Sequence, residues 1–397
     1  MRRARRIWAV LVLSVLLAQS VSPNMSVASA STVDPRSTPR QLLGTSGAGQ
    51  TSQLAGAGRS LNVRYTTTNH AGSVVEATGL VLVPSGPTPD GGWPLVVYGH
   101  MTTGAADRCA PTRGTPGHPE LRRMQQGDDL ARRLLSAGVA VARPDYEGLG
   151  SAGGHPYLRG ESLGRSMIDM VAATRQLIPL NGDWVASGHS EGAVAALNVA
   201  DRRQKLIPGM HLRGVHAITP VTQMDALIRL LRPLPVAAQP LTGPLVALAA
   251  LIIKGQAVED PAIEELALGG GLAPRAAALW DHLETRCLEE LGKSDSWGGL
   301  APSQLLGSRG EQLMGAVVDK LVADDVRRLS LRHVPVRIDE GLVDAVAPLV
   351  FTEQLVRTYR SQGITVTHRR WVAGHSATNS DAHSVPSASQ WIVARLR

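Results

Sequence analysis

Gly188-His189-Ser190-Glu191-Gly192 places a hydroxyl between two glycines, after the strand-like run Trp184 to Ser187 and before the Ala-rich run Ala193 to Ala200. A serine on a sharp strand-to-helix turn projects its Oγ above the carboxyl end of a sheet, and the helix N-terminus behind it faces developing negative charge. That is the placement a nucleophile for acyl transfer needs. A serine hydroxyl needs a base, and the base needs a carboxylate to hold its tautomer. On such an elbow the partners follow in the order acid, then histidine. His375, in Ala373-Gly374-His375-Ser376, lies past a strand-like run and before the last helical one. It is the candidate base, ahead of His368, inside the strand, and His383, farther along. Asp344 lies in the loop after the run Val334 to Ile338 and is the candidate acid; Asp339 and Glu340 are its rivals, and Gly341 marks a turn that favours Asp344. Two backbone N–H donors complete the chemistry as an oxyanion hole. One belongs to Glu191, and the other to Thr103 or Gly104 in the loop Gly99 to Gly104. The Glu191 side chain is expected at a solvated helix start. Ester or amide cleavage through this set needs no metal and no organic cofactor. Cys109 and Cys287 are far apart in the chain with no clustered His, which is not a metal-ligand pattern.

The elements that would position these groups alternate. Leu61 to Thr67 and Ala77 to Val83 read as a strand pair. Leu95 to Tyr98 and Val139 to Ala142 are short apolar runs, and Gly214 to Thr219 is a strand. Leu130 to Ala137, Ser166 to Leu177 and Glu191 to Arg202 have helical spacing. Val334 to Ile338, Phe351 to Gln362, Ile364 to Trp371 and Ala388 to Leu396 then read strand, helix, strand, helix. Short apolar strands between helices predict an α/β fold on a mostly parallel sheet with helices on both faces. Residues 223 to 330 break the rhythm: they are Ala-, Leu- and Pro-rich, with helical stretches at Ala262 to Leu268, Arg275 to Leu291 and Gly310 to Leu329. This is too long for a connection and reads as a helical insertion above the sheet. The expected core is then in two parts, 31–222 and 331–397. Residues 31 to 58, rich in Ser, Thr, Gly and Pro, read as an extended arm.

Of the 397 residues, 43% are hydrophobic, which excludes a disordered chain. The net charge of +7 invites a nucleic-acid reading. Arg2, Arg3, Arg5 and Arg6 supply much of it, and without them 36 basic face 33 acidic residues, so no basic surface for nucleic acid is expected. Those arginines precede the apolar run Ile7 to Ala18 and the small-residue site Ala28-Ser29-Ala30, which predicts a signal peptide over 1–30 and a secreted protein. Two Cys in an exported chain point to one disulfide, against two free buried thiols.

These residues together resemble the secretory lipase family of α/β-hydrolases, the lipase A type, over roughly residues 59 to 397. The likeness rests on Tyr98-Gly99-His100-Met101-Thr102-Thr103-Gly104, Cys109-Ala110-Pro111, Pro144-Asp145-Tyr146-Glu147-Gly148-Leu149-Gly150, His155-Pro156-Tyr157-Leu158, Gly188 to Gly192, Gly341-Leu342-Val343-Asp344 and Gly374-His375. It departs where members often read His-Gly, here His100-Met101, and where a Pro of the acid loop is displaced to Pro348. The resemblance implies an α/β-hydrolase fold, an esterase or lipase with Ser190, Asp344 and His375 as triad, and a helical lid over residues 223–330. It also implies a disulfide from the oxyanion-side loop to the lid, pairing Cys109 with Cys287. The expected partner is a lipophilic ester, met in solution or at a lipid interface, and the expected state is a monomer. A secreted peptidase or acyltransferase on the same triad, and a non-catalytic lipid carrier, are the competing readings.

Overall fold

The computed structural model describes residues 38–234 and 243–397; the leader read at residues 1–30 lies outside them. Nine strands form one sheet: β1 (Leu42–Gly47), β2 (Ala57–Thr68), β3 (Val74–Pro84), β4 (Trp93–Gly99), β5 (Ala140–Pro144), β6 (Leu180–His189), β7 (His211–Ile218), β8 (Val336–Gly341) and β9 (Val366–Trp371). Their order is β1-β2-β3-β5-β4-β6-β7-β8-β9. The first three run antiparallel to their neighbours, and β5, β4, β6, β7, β8 and β9 are mutually parallel.

A parallel sheet must be covered on both faces, so its central strands are apolar on both sides. Every residue of β5 and of β8 is buried. Along β4, Leu95 and Val97 face one core and Val96 and Tyr98 the other. The helices α1 (Asp128–Ser136), α2 (Gly160–Leu177) and α3 (Glu191–Val199) divide between these faces. The first core holds Leu163, Met167 and Val171 of α2 with Ala193, Ala195 and Ala196 of α3. The second holds Leu130 and Leu134 of α1 with Ile392 and Leu396 of the C-terminal helix.

Between β7 and β8 come α4 (Met224–Leu231), α5 (Gly243–Glu259), α6 (Pro261–Leu266) and α7 (Gly310–Ala323), and no named strand lies among the described residues there. Then follow α8 (Leu349–Ser361) and α9 (Val385–Leu396). Three expectations need correction. The arm expected over 31–58 contains β1, an edge strand paired with β2 through its backbone. The helix expected over Arg275 to Leu291 is three single turns, Pro274–Ala277, His282–Thr285 and Leu288–Leu291. Its continuity fails at Arg286 and Cys287, whose backbone is extended, because Cys287 is drawn across to bridge Gly104 and to bond Cys109. The helix expected to reach Leu329 ends at Ala323 and is followed by a 3-10 turn. No described helix is long and apolar enough to cross a membrane.

Candidate active site

Ser190 sits between β6 and α3 with φ 57° and ψ −114°, a conformation a side-chain-bearing residue adopts only when its surroundings force it. Two features force it. The Ser190 N–H donates to the Ile218 carbonyl at 2.9 Å. The flanking glycines admit no Cβ: one on Gly188 would stand 1.9 Å from the Gly192 carbonyl oxygen, and one on Gly192 would stand 2.0 Å from the Gly99 oxygen.

The Ser190 Oγ lies 2.8 Å from His375 Nε2, and His375 Nδ1 lies 2.7 Å from Asp344 Oδ2. A carboxylate only accepts, so Nδ1 carries the proton and Nε2 is free to accept from the serine hydroxyl. Asp344 is fixed in turn: its Oδ1 accepts from the N–H groups of Val346 and Ala347, each at 2.8 Å. The loop carrying His375 is tied down by Gln126, which donates to the carbonyls of Ser376 and Asn379, and by Asn379, which donates to the Tyr98 hydroxyl. The structure thus brings together all three residues read from the sequence.

The rival carboxylates are otherwise engaged. Asp339 is wholly buried and accepts from Arg337 through both oxygens, from Trp371 Nε1 at 2.7 Å and from His216 Nε2 at 3.0 Å. Glu340 faces His368 at 2.7 Å and Arg370 at 3.1 Å. His383 Nδ1 is hydrogen-bonded to the Ser380 hydroxyl, which itself donates to the Ala377 carbonyl. Ser187, His216 and Asp339 form a second Ser-His-Asp chain, with 3.0 Å at each contact, but all three are fully buried and no substrate can reach them.

The oxyanion candidates lie on the same end of the sheet. The Glu191 and Thr103 N–H groups meet no protein acceptor among the described residues, and Gly104 adopts φ 135°. The Thr103 carbonyl accepts from Leu288 N–H, Gly104 bridges Cys287, and Cys109 is disulfide-bonded to Cys287 with Cα atoms 5.4 Å apart. The loop of candidate donors is therefore stitched to the segment between β7 and β8.

Several participants escape a reading of the sequence. Burial, reinforced by the adjacent His375 ring, pushes His189 well below the usual histidine value. It therefore stays neutral and donates Nε2–H to the His375 carbonyl at 3.1 Å. Glu191 is not a solvated helix-start carboxylate: it is 1% exposed, and its Oε1 accepts from His155 Nε2 at 2.9 Å. Beside the acid loop an apolar cavity is lined by Leu227 and Ile228 of α4, Leu245, Leu248 and Ile252 of α5, and Val346. Val346 is the residue whose N–H holds Asp344.

A search of curated proteins returns no match. Solved structures similar in fold include Candida antarctica lipase A in its closed state, at 17% identity and TM-score 0.70 over 85% of this chain and 78% of that one. The rice cell wall degrading esterase LipA from Xanthomonas oryzae aligns at 20% identity and TM-score 0.67, covering 90% of this chain and 97% of its own. A putative hydrolase from Legionella pneumophila aligns at 17% identity and TM-score 0.65, covering 89% and 95%. At such identities the likeness establishes the fold. Residues 122–397, which carry β5 to β9, the elbow and the acid and histidine loops, match the family model described as Secretory lipase. With the sheet, the elbow and this match in agreement, the chain belongs to the secretory lipase family, and is a lipase-like ester hydrolase.

Proposed function

We propose that the protein is a secreted serine hydrolase that cleaves lipophilic carboxylic esters through an acyl-enzyme on Ser190. The observation that carries this reading is the unbroken hydrogen-bond chain from Ser190 through His375 to Asp344. His375 takes the serine proton as Oγ attacks the ester carbonyl, and Asp344 holds the tautomer and stabilises the imidazolium. The N–H groups of Glu191 and of Thr103 or Gly104 receive the tetrahedral oxygen. His375 then protonates the departing alcohol, and water repeats the sequence to release the acid. Residues 223–330 act as a lid, and the apolar cavity between α4 and α5 takes the acyl chain. Secretion is supported by the family description and by the Cys109–Cys287 disulfide.

The test is labelling with a p-nitrophenyl alkylphosphonate, followed by peptide mass analysis and a p-nitrophenyl ester series from acetate to palmitate. One phosphonate per chain on the Ser190 peptide, with ester turnover lost in step, is expected. Labelling elsewhere, or turnover untouched by full labelling, overturns the reading. A rate rising with chain length is the result expected for an acyl chain held in the α4–α5 cavity.

Contact with lipid makes a separate prediction. Leu342 N–H donates to the Trp371 carbonyl and Val343 N–H to the Ala373 carbonyl, so the acid loop and the segment before His375 stand side by side. Their side chains are apolar and exposed: Leu342 41%, Val343 70% and Val372 81%. Burying a valine in an apolar phase is worth about 1.5–3 kcal/mol. Val343→Ser with Val372→Ser is therefore expected to lower hydrolysis of an emulsified triacylglycerol roughly tenfold or more. Hydrolysis of dissolved p-nitrophenyl acetate should stay within about twofold. Equal losses on both substrates would remove the interface role.

A further inference from the structure

The side chain of Glu191 points away from solvent, one residue from the nucleophile. Its Oε1 accepts from His155, while its Oε2 is buried with no partner among the described residues. His155 is itself 1% exposed, and its other ring nitrogen, Nδ1, faces the Glu147 carbonyl oxygen at 3.0 Å. Both neighbours of the ring are acceptors, so a ring that satisfies both carries two protons. Burial opposes that charge most strongly, yet the Glu191 charge and hydrogen bond, together with the Glu147 carbonyl and carboxyl, outweigh it and hold the His155 pKa above the ordinary histidine value.

The surroundings tie this pair to the loop of oxyanion candidates. His155 lies parallel to the Tyr146 ring, with centroids 6.0 Å apart, and Tyr146 donates its hydroxyl proton to the His100 carbonyl. Thr102 donates to the Tyr157 hydroxyl at 2.9 Å. Helix α5 packs against the segment that carries His155, since a Cβ on Gly255 would stand 2.6 Å from the Tyr157 backbone. The other ionisable groups facing the pair are His100, Glu147, Tyr146 and Tyr157, and Asp145 in turn faces His100 and Tyr146. Burial lowers His100 and raises Asp145 and Glu147, and the two carboxyls are held by hydroxyls of Thr78 and Thr112 and of Ser162. No Lys or Arg pairs with Glu191 among the described residues, so the His155 ring is its counter-charge.

We infer that His155 is a positioning residue for the oxyanion hole: its doubly donating ring neutralises the Glu191 carboxylate and fixes the Glu191 backbone N–H where the tetrahedral oxygen forms. This rests on Ser190 as the nucleophile and Glu191 N–H as a donor. A buried ion pair is a poor source of stability, since well-packed apolar side chains serve as well. Its placement behind the elbow has an electrostatic consequence instead. An unneutralised carboxylate one residue from the developing oxyanion would oppose the same negative charge that the hole is built to hold. Losing the His155 proton at high pH exposes that carboxylate.

The experiment measures kcat and KM from pH 5 to 10 on p-nitrophenyl butyrate for wild type, His155→Gln, Glu191→Gln and the double variant, with thermal unfolding and phosphonate stoichiometry on each. His155→Gln is expected to lower kcat roughly 10- to 100-fold with KM within about threefold. Wild type should lose kcat along an alkaline limb that Glu191→Gln abolishes, because the neutral amide needs no counter-charge. Adding Glu191→Gln to His155→Gln should recover activity. A His155→Gln that lowers the melting temperature alone, or a double variant showing two additive losses, overturns the inference. If His155→Gln does not fold, the alkaline limb of Glu191→Gln decides, and its persistence overturns the inference. A wild type that neither turns over nor takes phosphonate at Ser190 fails the underlying reading instead.

Discussion

Ser190→Ala and His375→Ala are each expected to lower kcat by about 10⁴- to 10⁶-fold, and the double variant is expected to fall no further. The reason lies in the hydrogen-bond chain. The serine hydroxyl is a weak nucleophile until a base removes its proton, and the base that meets Oγ among the described residues is His375 Nε2, at 2.8 Å. On the proposed acyl-enzyme route, removing either partner ends covalent catalysis, so removing the second has nothing left to take. What persists is binding and oxyanion stabilisation, worth roughly 10³-fold over water. Neither substitution should unfold the chain. The Ser190 hydroxyl meets only the His375 ring among the described residues, and its backbone remains held by Ile218, Ala193 and Val194. The measurement is steady-state turnover of p-nitrophenyl butyrate alongside near-ultraviolet circular dichroism. Multiplying losses in the double variant would mean that Ser190 and His375 act separately, and a fully active Ser190→Ala would remove the nucleophile assignment.

How far the sequence leads depends on how local each signal is. The elbow is legible because its requirements are contiguous: two glycines for a turn that admits no Cβ, a strand before and a helix after. The histidine is legible from chain order and its loop. The choice among Asp339, Glu340 and Asp344 is harder, because what excludes Asp339 is its capture by Arg337, Trp371 and His216, from the same strand and two others. Only Gly341 signals that the chain turns before Asp344. The edge strand β1 hides in a stretch of Ser, Thr and Gly because it pairs through backbone groups and buries little. His155 hides in the Gly-rich segment Gly153-Gly154-His155, where nothing in the spacing announces that its ring will meet Glu191 across the fold. The broken helix at Cys287 fails for the converse reason: its local propensity is sound, and a long-range disulfide with its backbone bridge overrides it.

Asp339→Asn and Asp344→Asn should separate fold from chemistry. Asp339 belongs to the buried chain Ser187-His216-Asp339 that joins β6, β7 and β8, and Arg337, 3% exposed, has Asp339 as its counter-charge. Burial raises the Asp339 carboxyl, but the His216 hydrogen bond and the Arg337 guanidinium overcome it and hold the group below the usual aspartate value. A carboxylate depressed in the folded state stabilises it at pH values above the unfolded pKa, and that contribution is lost as pH falls through the folded pKa. The Asp339→Asn variant would leave the Arg337 charge buried and unpaired, which costs about 3–5 kcal/mol. Urea denaturation at pH 7 should show that loss, and the variant's stability should fall less steeply with acid than that of wild type. In Asp344→Asn the new amide can still accept from Val346 and Ala347 N–H through its carbonyl oxygen, so stability should stay within about 1 kcal/mol of wild type. Its kcat should nevertheless fall by about 10³- to 10⁴-fold, because an amide facing Nδ1 favours the wrong imidazole tautomer. The reverse pattern, with Asp344→Asn active and unstable and Asp339→Asn stable and inactive, would transfer the acid role to the buried chain. The structure opposes that outcome for a physical reason: an acid that must stabilise a transient imidazolium has to face the ring that contacts the nucleophile, and Asp339 faces a histidine whose partner hydroxyl, Ser187, has no exposure to substrate.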